Sequence, residues 1–183
     1  MSLARFLIGA SVVSIAPEGR TAARIVETEA YVPGDAAAHS FRGPTARNRP
    51  LFLSRGHAYV YFIYGTHYCF NVSAERVGVG AGVLIRAGEP LEGLEIMRGR
   101  RGAAGDRDLL RGPGRFAEAL AIGAAQDGLD LCAAGPLWLA TGAGPKPQIG
   151  VSRRIGLTKE VERPLRFFDR NSAAVSGPKY LLS

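Results

Sequence analysis

Two glutamates that lie two residues apart have a spacing that could support acid–base chemistry. Glu27 and Glu29 belong to the segment ARIVETEAYV (23–32), whose alternating pattern predicts a β-strand. Successive strand side chains point to opposite faces, so both glutamates share a face with Ile25 and Tyr31. A carboxylate in a partly apolar wall can act as a general acid or base. Exposed glutamates on a solvated edge strand would show the same spacing, so both interpretations remain open.

Aromatic residues dominate two further predicted strands, HAYVYFIY (57–64) and THYCFNVS (66–73), which meet at Gly65 as a β-hairpin. On either two-residue turn that contains Gly65, Tyr64 lies at the tip, where an apolar ring has no core to contact. Tyr61 and Asn71 lie further down the two arms. The other aromatic residues expected in the core are Tyr59, Phe62 and Phe70. Tyr64 therefore calls for a functional explanation.

The charge balance is compatible with a polyanionic partner. The 183 residues include 23 Lys and Arg against 16 Asp and Glu, a formal net charge of +7. All the basic residues except Lys146, Lys159 and Lys179 are arginine. Coding bias can produce such an excess, but arginine also binds phosphates bidentately. Nucleic acid is a candidate partner that needs a second supporting feature.

The order of predicted elements indicates one α+β domain over residues 1–183, built on an antiparallel sheet, because strands follow one another without regular helical crossovers. Helices are predicted over 90–100, opened by Pro90, and after Gly112. No apolar run reaches about 18 residues, and no signal-peptide pattern opens the chain. We therefore expect an intracellular protein, in the cytoplasm or nucleoid if the source is bacterial.

The two cysteines suggest neither a disulfide nor a metal site. Cys69 and Cys132 are far apart in apolar surroundings, so both are predicted to be buried free thiols. His67 and Cys69 form an H-x-C pair, but no second pair follows at zinc-like spacing. No metal or other cofactor is expected.

Together, these features indicate a protein that acts on a nucleobase. An enzyme cannot reach a base inside a duplex, so it extrudes the base and fills the gap with a wedge. Stacking on an aromatic side chain contributes about 1–3 kcal/mol per base, and the attraction grows when the base is cationic. The exposed tyrosine, the other aromatic residues and one carboxylate fit these needs.

Motifs along most of the chain then point to a family. They are VETEAY (26–31), AAHS (37–40), TARNR (45–49), YVYFIYGTHYCFNV (59–72), VLIRAGEPLEGLEIMR (83–98), GPGRFAEALAI (112–122) and RPLRFF (163–168). In order and spacing, from about residue 3 to about residue 178, they resemble the 3-methyladenine DNA glycosylase family of the mammalian alkyladenine DNA glycosylase type. The resemblance implies a curved antiparallel sheet with flanking helices and a protruding β-hairpin.

The resemblance also implies an activity, that of a monofunctional hydrolase of base excision repair that flips and releases alkylated or deaminated purines from DNA. Carried over by motif position, Glu29 is the general base that activates water for attack on C1′. Arg86 helps to hold that water, and the backbone carbonyl of Ile155 is its third partner.

The base-binding residues follow from the same motifs. Tyr31, His39 and Tyr61 resemble the stacking walls around the flipped base. Asn71 resembles the residue at the pocket floor that screens purine substituents. Tyr64 resembles the tyrosine that enters the minor groove where the base has left.

Further contacts with DNA are implied at Thr45, Thr66 and His67. The two hairpin residues among them stand where the family has bulkier apolar and aromatic residues. The partner implied is double-stranded DNA with a damaged base, with no membrane and no obligatory protein partner, so the protein is expected to act as a monomer.

The chemistry of alkylated purines supports this assignment independently. A purine alkylated at N3 or N7 is already a cationic leaving group, so one carboxylate suffices where ordinary sugar hydrolases use two. The three lysines all lie in the C-terminal part of the chain, away from the motifs, which makes a Schiff-base nucleophile and strand cleavage unexpected.

Two alternatives stay open on the sequence alone. A metal-dependent nuclease could use Glu27, Glu29, Asp35 and His39 as an oxygen-rich site, and it would lose activity in EDTA. A non-catalytic minor-groove binding protein would use Tyr64 as a wedge only, so that Glu29→Gln would change nothing.

Overall fold

The segment around Glu27 and Glu29 forms β2, a 13-residue strand from Gly19 to Tyr31 inside an antiparallel sheet. This computed structural model describes residues 1–102, 105–142 and 144–178. The other strands in these ranges are β1 (Ser11–Ala16), β3 (Ala58–Ile63), β4 (His67–Ser73), β5 (Gly82–Glu92), β6 (Leu137–Ala140), β7 (Ile149–Ser152) and β8 (Arg166–Asp169). The helices are α1 (Ser2–Leu7), α2 (Leu94–Arg101) and α3 (Pro113–Ala119), with 3₁₀ turns at Arg49–Phe52, Asp106–Asp108 and Ala124–Gln126.

The length of β2 lets three strands pair with it. The strands follow the order β3-β4-β5-β2-β1-β6. Strand β5 pairs with β2 over residues 22–31, whereas β1 pairs with residues 19–24 and β8 with residues 27–29. Because the sheet continues through β8 into β7, it curls into a half-barrel, as expected for the α+β fold. Glu27 and Glu29 are 0% exposed, so the edge-strand interpretation is wrong.

A local irregularity bends β2 at the first of these glutamates. The register between β2 and β5 shifts on both sides of Glu27. Such bulges bend a strand and redirect its side chains. Both glutamates consequently reach the same arginine of β5, Arg86.

One hydrophobic core joins the sheet to the helices. It contains Leu7 of α1, Ile25 of β2, Ile85 of β5, Met97 of α2 and Phe116 of α3, each at most 1% exposed. Burying each such side chain contributes roughly 1.5–3 kcal/mol. This core holds the backbone of β2 and β5 rigidly, and with it the residues that the two strands carry. Among the described residues, no helix combines the length and apolarity needed to cross a membrane.

The hairpin forms where it was predicted, but its loop is longer. Ile63 pairs with His67, which leaves Tyr64, Gly65 and Thr66 as a three-residue loop, so the two-residue turn was wrong. The Thr66 N–H donates to the Ile63 carbonyl at 3.2 Å. Tyr64 and Gly65 have φ of 53° and 67°, a left-handed pair that reverses the chain.

Other predictions are also corrected. Pro90 lies inside a strand rather than opening a helix, because β5 runs to Glu92 and α2 begins after Gly93, which has φ of 77°. Phe62 is 47% exposed, since it lies on the outer face of a hairpin that projects beyond the core. Cys69 is a buried free thiol as predicted, but Cys132 is exposed.

Candidate active site

A cavity of about 450 Å³ opens between the hairpin, the loop after β2, and the start of α3. The predicted residues that line it are Tyr31, His39, Tyr61, Tyr64, His67, Asn71, Arg86 and Ile155. Thr45 lies outside, in the wall of an adjoining cavity, and Thr66 is exposed in the hairpin loop. The structure thus brings most of the predicted residues together around one pocket.

Glu29 lies beneath this pocket and is approached by three donors. The Ile155 N–H donates to Oε1 at 2.8 Å, and the Tyr31 hydroxyl donates to Oε2 at 3.0 Å. Arg86 Nη1 lies 3.3 Å from Oε1. The Ile155 contact involves the backbone N–H, whereas the sequence resemblance pointed to its carbonyl. These contacts hold the carboxylate behind Tyr31, Arg86 and Ile155, which line the cavity.

Glu27 supports this arrangement through its own contacts with Arg86 and with two other residues. Its Oε1 accepts from Arg86 Nε at 3.1 Å and from Arg166 Nε at 2.6 Å, and its Oε2 accepts from the Ser176 N–H at 2.6 Å. Burial alone would lower the pKa of the Arg86 guanidinium, but Glu29 and Glu27 outweigh burial and the pKa is raised. Arg86 is therefore a permanent cation that Glu27 holds against Glu29.

The aromatic wall is built from the arms of the hairpin and the loop after β2. Ring centroids of His39 and Tyr61 are 4.5 Å apart at 64°, and those of Tyr59 and Tyr61 are 5.3 Å apart at 29°. Asn71 Nδ2 donates to the Tyr59 carbonyl at 3.2 Å, across the β3–β4 pair. Tyr59, expected only as a core residue, is 1% exposed and also positions this wall.

The protonation state of His39 follows from its buried surroundings. Its Nδ1 lies 2.9 Å from the Tyr59 hydroxyl. Burial raises the pKa of Tyr59 to about 12, so the tyrosine keeps its proton. Burial, with the Arg47 charge, lowers the pKa of His39. The imidazole is therefore neutral, and its Nδ1 shares a hydrogen bond with the Tyr59 hydroxyl.

Tyrosines at the cavity also stay protonated. Burial, and then the nearby Glu29 charge, raise the pKa of Tyr31, while burial and then Cys69 raise that of Tyr61. Both walls therefore present neutral phenols. At the outer end, Tyr64 is 85% exposed at the hairpin tip.

Comparison with known proteins identifies the family of this chain. The model described as Methylpurine-DNA glycosylase (MPG) matches residues 1–173. The chain belongs to the methylpurine-DNA glycosylase family. Members of this family are hydrolases that cleave N-glycosyl bonds in DNA, so the chain is a DNA glycosylase and a DNA repair enzyme.

Individual relatives agree with the family match. A protein of Mesorhizobium japonicum is 61% identical over 98% of this chain and 86% of its own length. One of Paraburkholderia phytofirmans is 50% identical over 100% and 85%, and one of Methanocella arvoryzae is 46% identical over 96% and 90%. Each bears the name "Putative 3-methyladenine DNA glycosylase".

The geometry of this glycosylase does not favour the metal-dependent nuclease. The carboxylates of that alternative are occupied by arginines, since Glu27 and Glu29 face Arg86, and Asp35 is paired with Arg154. Within the described ranges, no three His, Cys, Asp or Glu side chains are grouped to hold a metal ion. A hard cation would have to displace these arginines first.

The glycosylase pocket also contains residues that the sequence did not reveal. Cys69 and Leu84 line it, and Arg154 lies behind Tyr31, with its guanidinium carbon 4.6 Å from the ring centroid. Cys69 lies opposite Tyr61 because the hairpin loop has three residues, a register that the predicted two-residue turns did not give. The sequence offered one weak indication that a basic residue such as Arg154 lies here, namely the acidic Asp35 in the loop after the strand.

Proposed function

We propose that this chain is a monofunctional glycosylase that flips alkylated purines such as 3-methyladenine out of DNA and excises them by attack of water on the N-glycosidic bond. The observation that carries the proposal is Glu29, buried beneath an aromatic pocket and approached by Ile155, Tyr31 and Arg86. The names of the relatives support the choice of substrate.

The pocket would bind the damaged base by stacking. Tyr31, His39 and Tyr61 offer aromatic faces, and a purine alkylated at N3 or N7 carries a positive charge that such faces attract. Because His39 is neutral, it does not repel this cation. Asn71 at the floor, with one N–H held by the Tyr59 carbonyl, limits the substituents that fit.

Glu29 acts as the general base. A water molecule attacks C1′, its proton passes to the carboxylate, and the bond between C1′ and the purine nitrogen breaks with both electrons moving to the purine. The base leaves as a neutral molecule, so no general acid is required. Arg86 and the Ile155 N–H fix the orientation of the carboxylate, and a positioned base contributes about 10²–10⁴-fold to the rate.

The surface around the pocket suits the DNA backbone. Arg42, Arg47 and Lys159 line the adjoining cavity of about 310 Å³. No salt bridge joins any of the three to a carboxylate in the part of the chain that the structure describes. Their charges are available to phosphates, Tyr64 would fill the gap left by the flipped base, and Thr45, Thr66 and His67 would contact the strands beside it.

Strand cleavage is not part of the proposal. Lys146 lines a cavity formed with α1, and Lys159 lines the adjoining cavity, so neither lies in the pocket wall. Lys179 lies outside the described residues. With no amine lining the pocket among the described residues, we propose water as the only nucleophile, in an intracellular protein that acts alone as a monomer.

The test is excision of 3-methyladenine from a duplex, in EDTA, by wild type and Glu29→Gln. Wild type should release free base and leave phosphodiesters intact, whereas Glu29→Gln should lose about 10²–10⁴-fold in rate and still bind an abasic-site duplex. Glu92→Gln is the control, because that carboxylate is 50% exposed and its salt bridge among the described residues is with Arg20. Unchanged excision by Glu29→Gln would sink the mechanism.

A further inference from the structure

A buried ion pair lies behind the pocket, outside the chemistry described so far. The side chains of Arg154 and Asp35 are both 0% exposed. Both terminal nitrogens of the arginine donate to the carboxylate, and the Nη2–Oδ1 distance is 3.1 Å. Burying two charges costs about as much as their attraction returns. Stability alone is therefore a weak reason for this pair.

Arg154 contacts the strand that carries Glu29. Its Nη1 also donates to the Ala30 carbonyl at 3.0 Å, and its guanidinium carbon lies 4.6 Å from the centroid of the Tyr31 ring. A guanidinium stacked on an aromatic face fixes the plane of the ring. Arg154 also directly precedes Ile155, whose N–H donates to Glu29. One side chain thus holds one wall of the pocket and borders two contacts of the general base.

Asp35 extends this contact to the opposite wall. Its Oδ1 accepts from the Ala37 N–H at 3.0 Å, and its carbonyl accepts from the Ala38 N–H at 2.9 Å. These bonds shape the turn that leads into His39. The ion pair therefore ties the loop of His39 to the strand of Tyr31.

We propose that Arg154 is a positioning residue for excision, which sets the Tyr31 and His39 walls and the Glu29 carboxylate in register with one another. The inference rests on the proposed function, because the walls are taken to hold a purine. It adds a residue that touches neither the base nor the attacking water.

The chain provides a matched control in Arg24 and Asp169. Their side chains are 7% and 4% exposed, and Arg24 Nη2 donates to Asp169 at 2.7 Å and to the Pro145 carbonyl at 3.3 Å. In both arginines, Nε is buried without a hydrogen-bond partner among the described residues. Arg24 and Asp169 line none of the pocket. Arg24 differs in contacting its aspartate through one nitrogen and in a second ion pair, from Nη1 to Glu89 at 3.4 Å, and none of these partners lines the pocket.

The test compares Arg154→Lys with Arg24→Lys. Lysine keeps the charge but loses both the bidentate fork and the planar stacking. Thermal unfolding measures the stability loss of each. Single-turnover excision of 3-methyladenine is then followed at saturating protein, well below both transitions, with the active fraction titrated by an abasic-site duplex. Saturation removes any difference in affinity, and the titration removes any difference in folded fraction.

We expect Arg154→Lys to lower the single-turnover rate constant by about 10- to 100-fold, and Arg24→Lys to stay close to wild type even where the two lose similar stability. Equal rate constants for the two variants would overturn the inference. If Arg154→Lys does not fold, Asp35→Asn replaces it, with the same expected slowing and the same contradicting outcome. The Glu29→Gln variant separates this inference from the proposed function. Its excision activity tests the proposed function independently of the result for Arg154.

Discussion

Arg86 Nη1 lies 3.3 Å from Glu29 Oε1, and the two side chains are 10% and 0% exposed. Water screens such a pair poorly, so each charge depends on the other. The same guanidinium donates through Nε to Glu27. Arg86 neutralises two buried carboxylates and holds one of them beneath the pocket, so under the proposed mechanism it would serve both stability and catalysis.

Replacing Arg86 should affect both properties. Arg86→Gln leaves Glu29 without its cation, and removal of one partner of a buried pair should destabilise the fold by about 3 kcal/mol. Excision should fall with it, since Glu29 loses its orientation. Urea unfolding and single-turnover excision measure the two effects.

The control for this change is Arg20→Gln. Arg20 pairs with Glu92 in a bridge whose side chains are 52% and 50% exposed, and such bridges contribute less than about 1 kcal/mol. If Arg86→Gln were as stable and as active as Arg20→Gln, the double role would be wrong.

The sequence predicted the strand of Glu29 but not its position in the sheet. Alternation in residues 23–32 is a local signal, and it placed Glu27 and Glu29 on one face. Whether that strand lies at an edge depends on β8, which pairs with Glu29 through Arg166, 137 residues later. No local pattern encodes such a pairing, so the burial of both glutamates emerged only from the fold.

The pH dependence of stability should reveal the neutral His39. Burial lowers the pKa of His39 in the folded protein from its ordinary value of 6.5. The contribution of this lowered pKa to the stability of the fold is fully present above pH 6.5. It is lost as pH falls toward the lowered value, because the unfolded chain then binds a proton that the folded protein refuses, at up to about 1.4 kcal/mol per pH unit.

His39→Gln should lack this part of the pH dependence. The stability difference between wild type and His39→Gln should therefore shrink as pH falls below 6.5, as measured by urea unfolding at several pH values. NMR titration of the His39 ring gives a direct check. A pKa above 6.5 would contradict the assignment of a neutral imidazole.

The hairpin was predictable from the sequence, but its register was not. The two-residue turns expected at Gly65 would pair Tyr61 with Tyr68 or with Phe70, whereas the three-residue loop places Tyr61 opposite Cys69 and Tyr59 opposite Asn71. The contact of Arg154 with Asp35 spans 119 residues and joins a loop to a C-terminal segment. Its specificity comes from burial and bidentate geometry, which only the folded chain provides.

Tyr64 should matter for DNA and not for the fold. The Tyr64 ring is 85% exposed, and its backbone has a φ of 53°, which glycine adopts more readily. Tyr64→Gly therefore removes no packed side chain and relieves backbone strain, so the stability of the fold should not fall. Loss of stacking worth about 1–3 kcal/mol should weaken binding to an abasic-site duplex by roughly 5- to 150-fold. Fluorescence anisotropy measures this affinity.

The neighbouring aromatic residue Phe62 is the matched control. It is 47% exposed and packs on Tyr68, with ring centroids 4.9 Å apart. Phe62→Ala should lower stability and leave the affinity for the abasic-site duplex unchanged. Equal affinities of Tyr64→Gly and wild type would refute the proposed role of Tyr64 as a wedge in DNA.

The loop end of the hairpin lies against the glycine-rich start of α3. A Cβ added at Gly114 would lie 2.9 Å from Cγ of His67, closer than side chains tolerate. Gly114→Ala should therefore push the first residue of β4 outward, at about 1–3 kcal/mol for such overpacking, and tilt the loop that carries Tyr64. Affinity for the abasic-site duplex should fall.

A second substitution tests whether His67 transmits this effect. His67→Ala removes the ring that the new methyl group meets, so adding it to Gly114→Ala should recover part of the stability that the overpacking costs, as measured by urea unfolding. Gly99→Ala is the control, because no atom lies within 4 Å of a Cβ built there. It should leave binding unchanged. If His67→Ala recovers no stability, the contact between Gly114 and His67 is not the source of the overpacking.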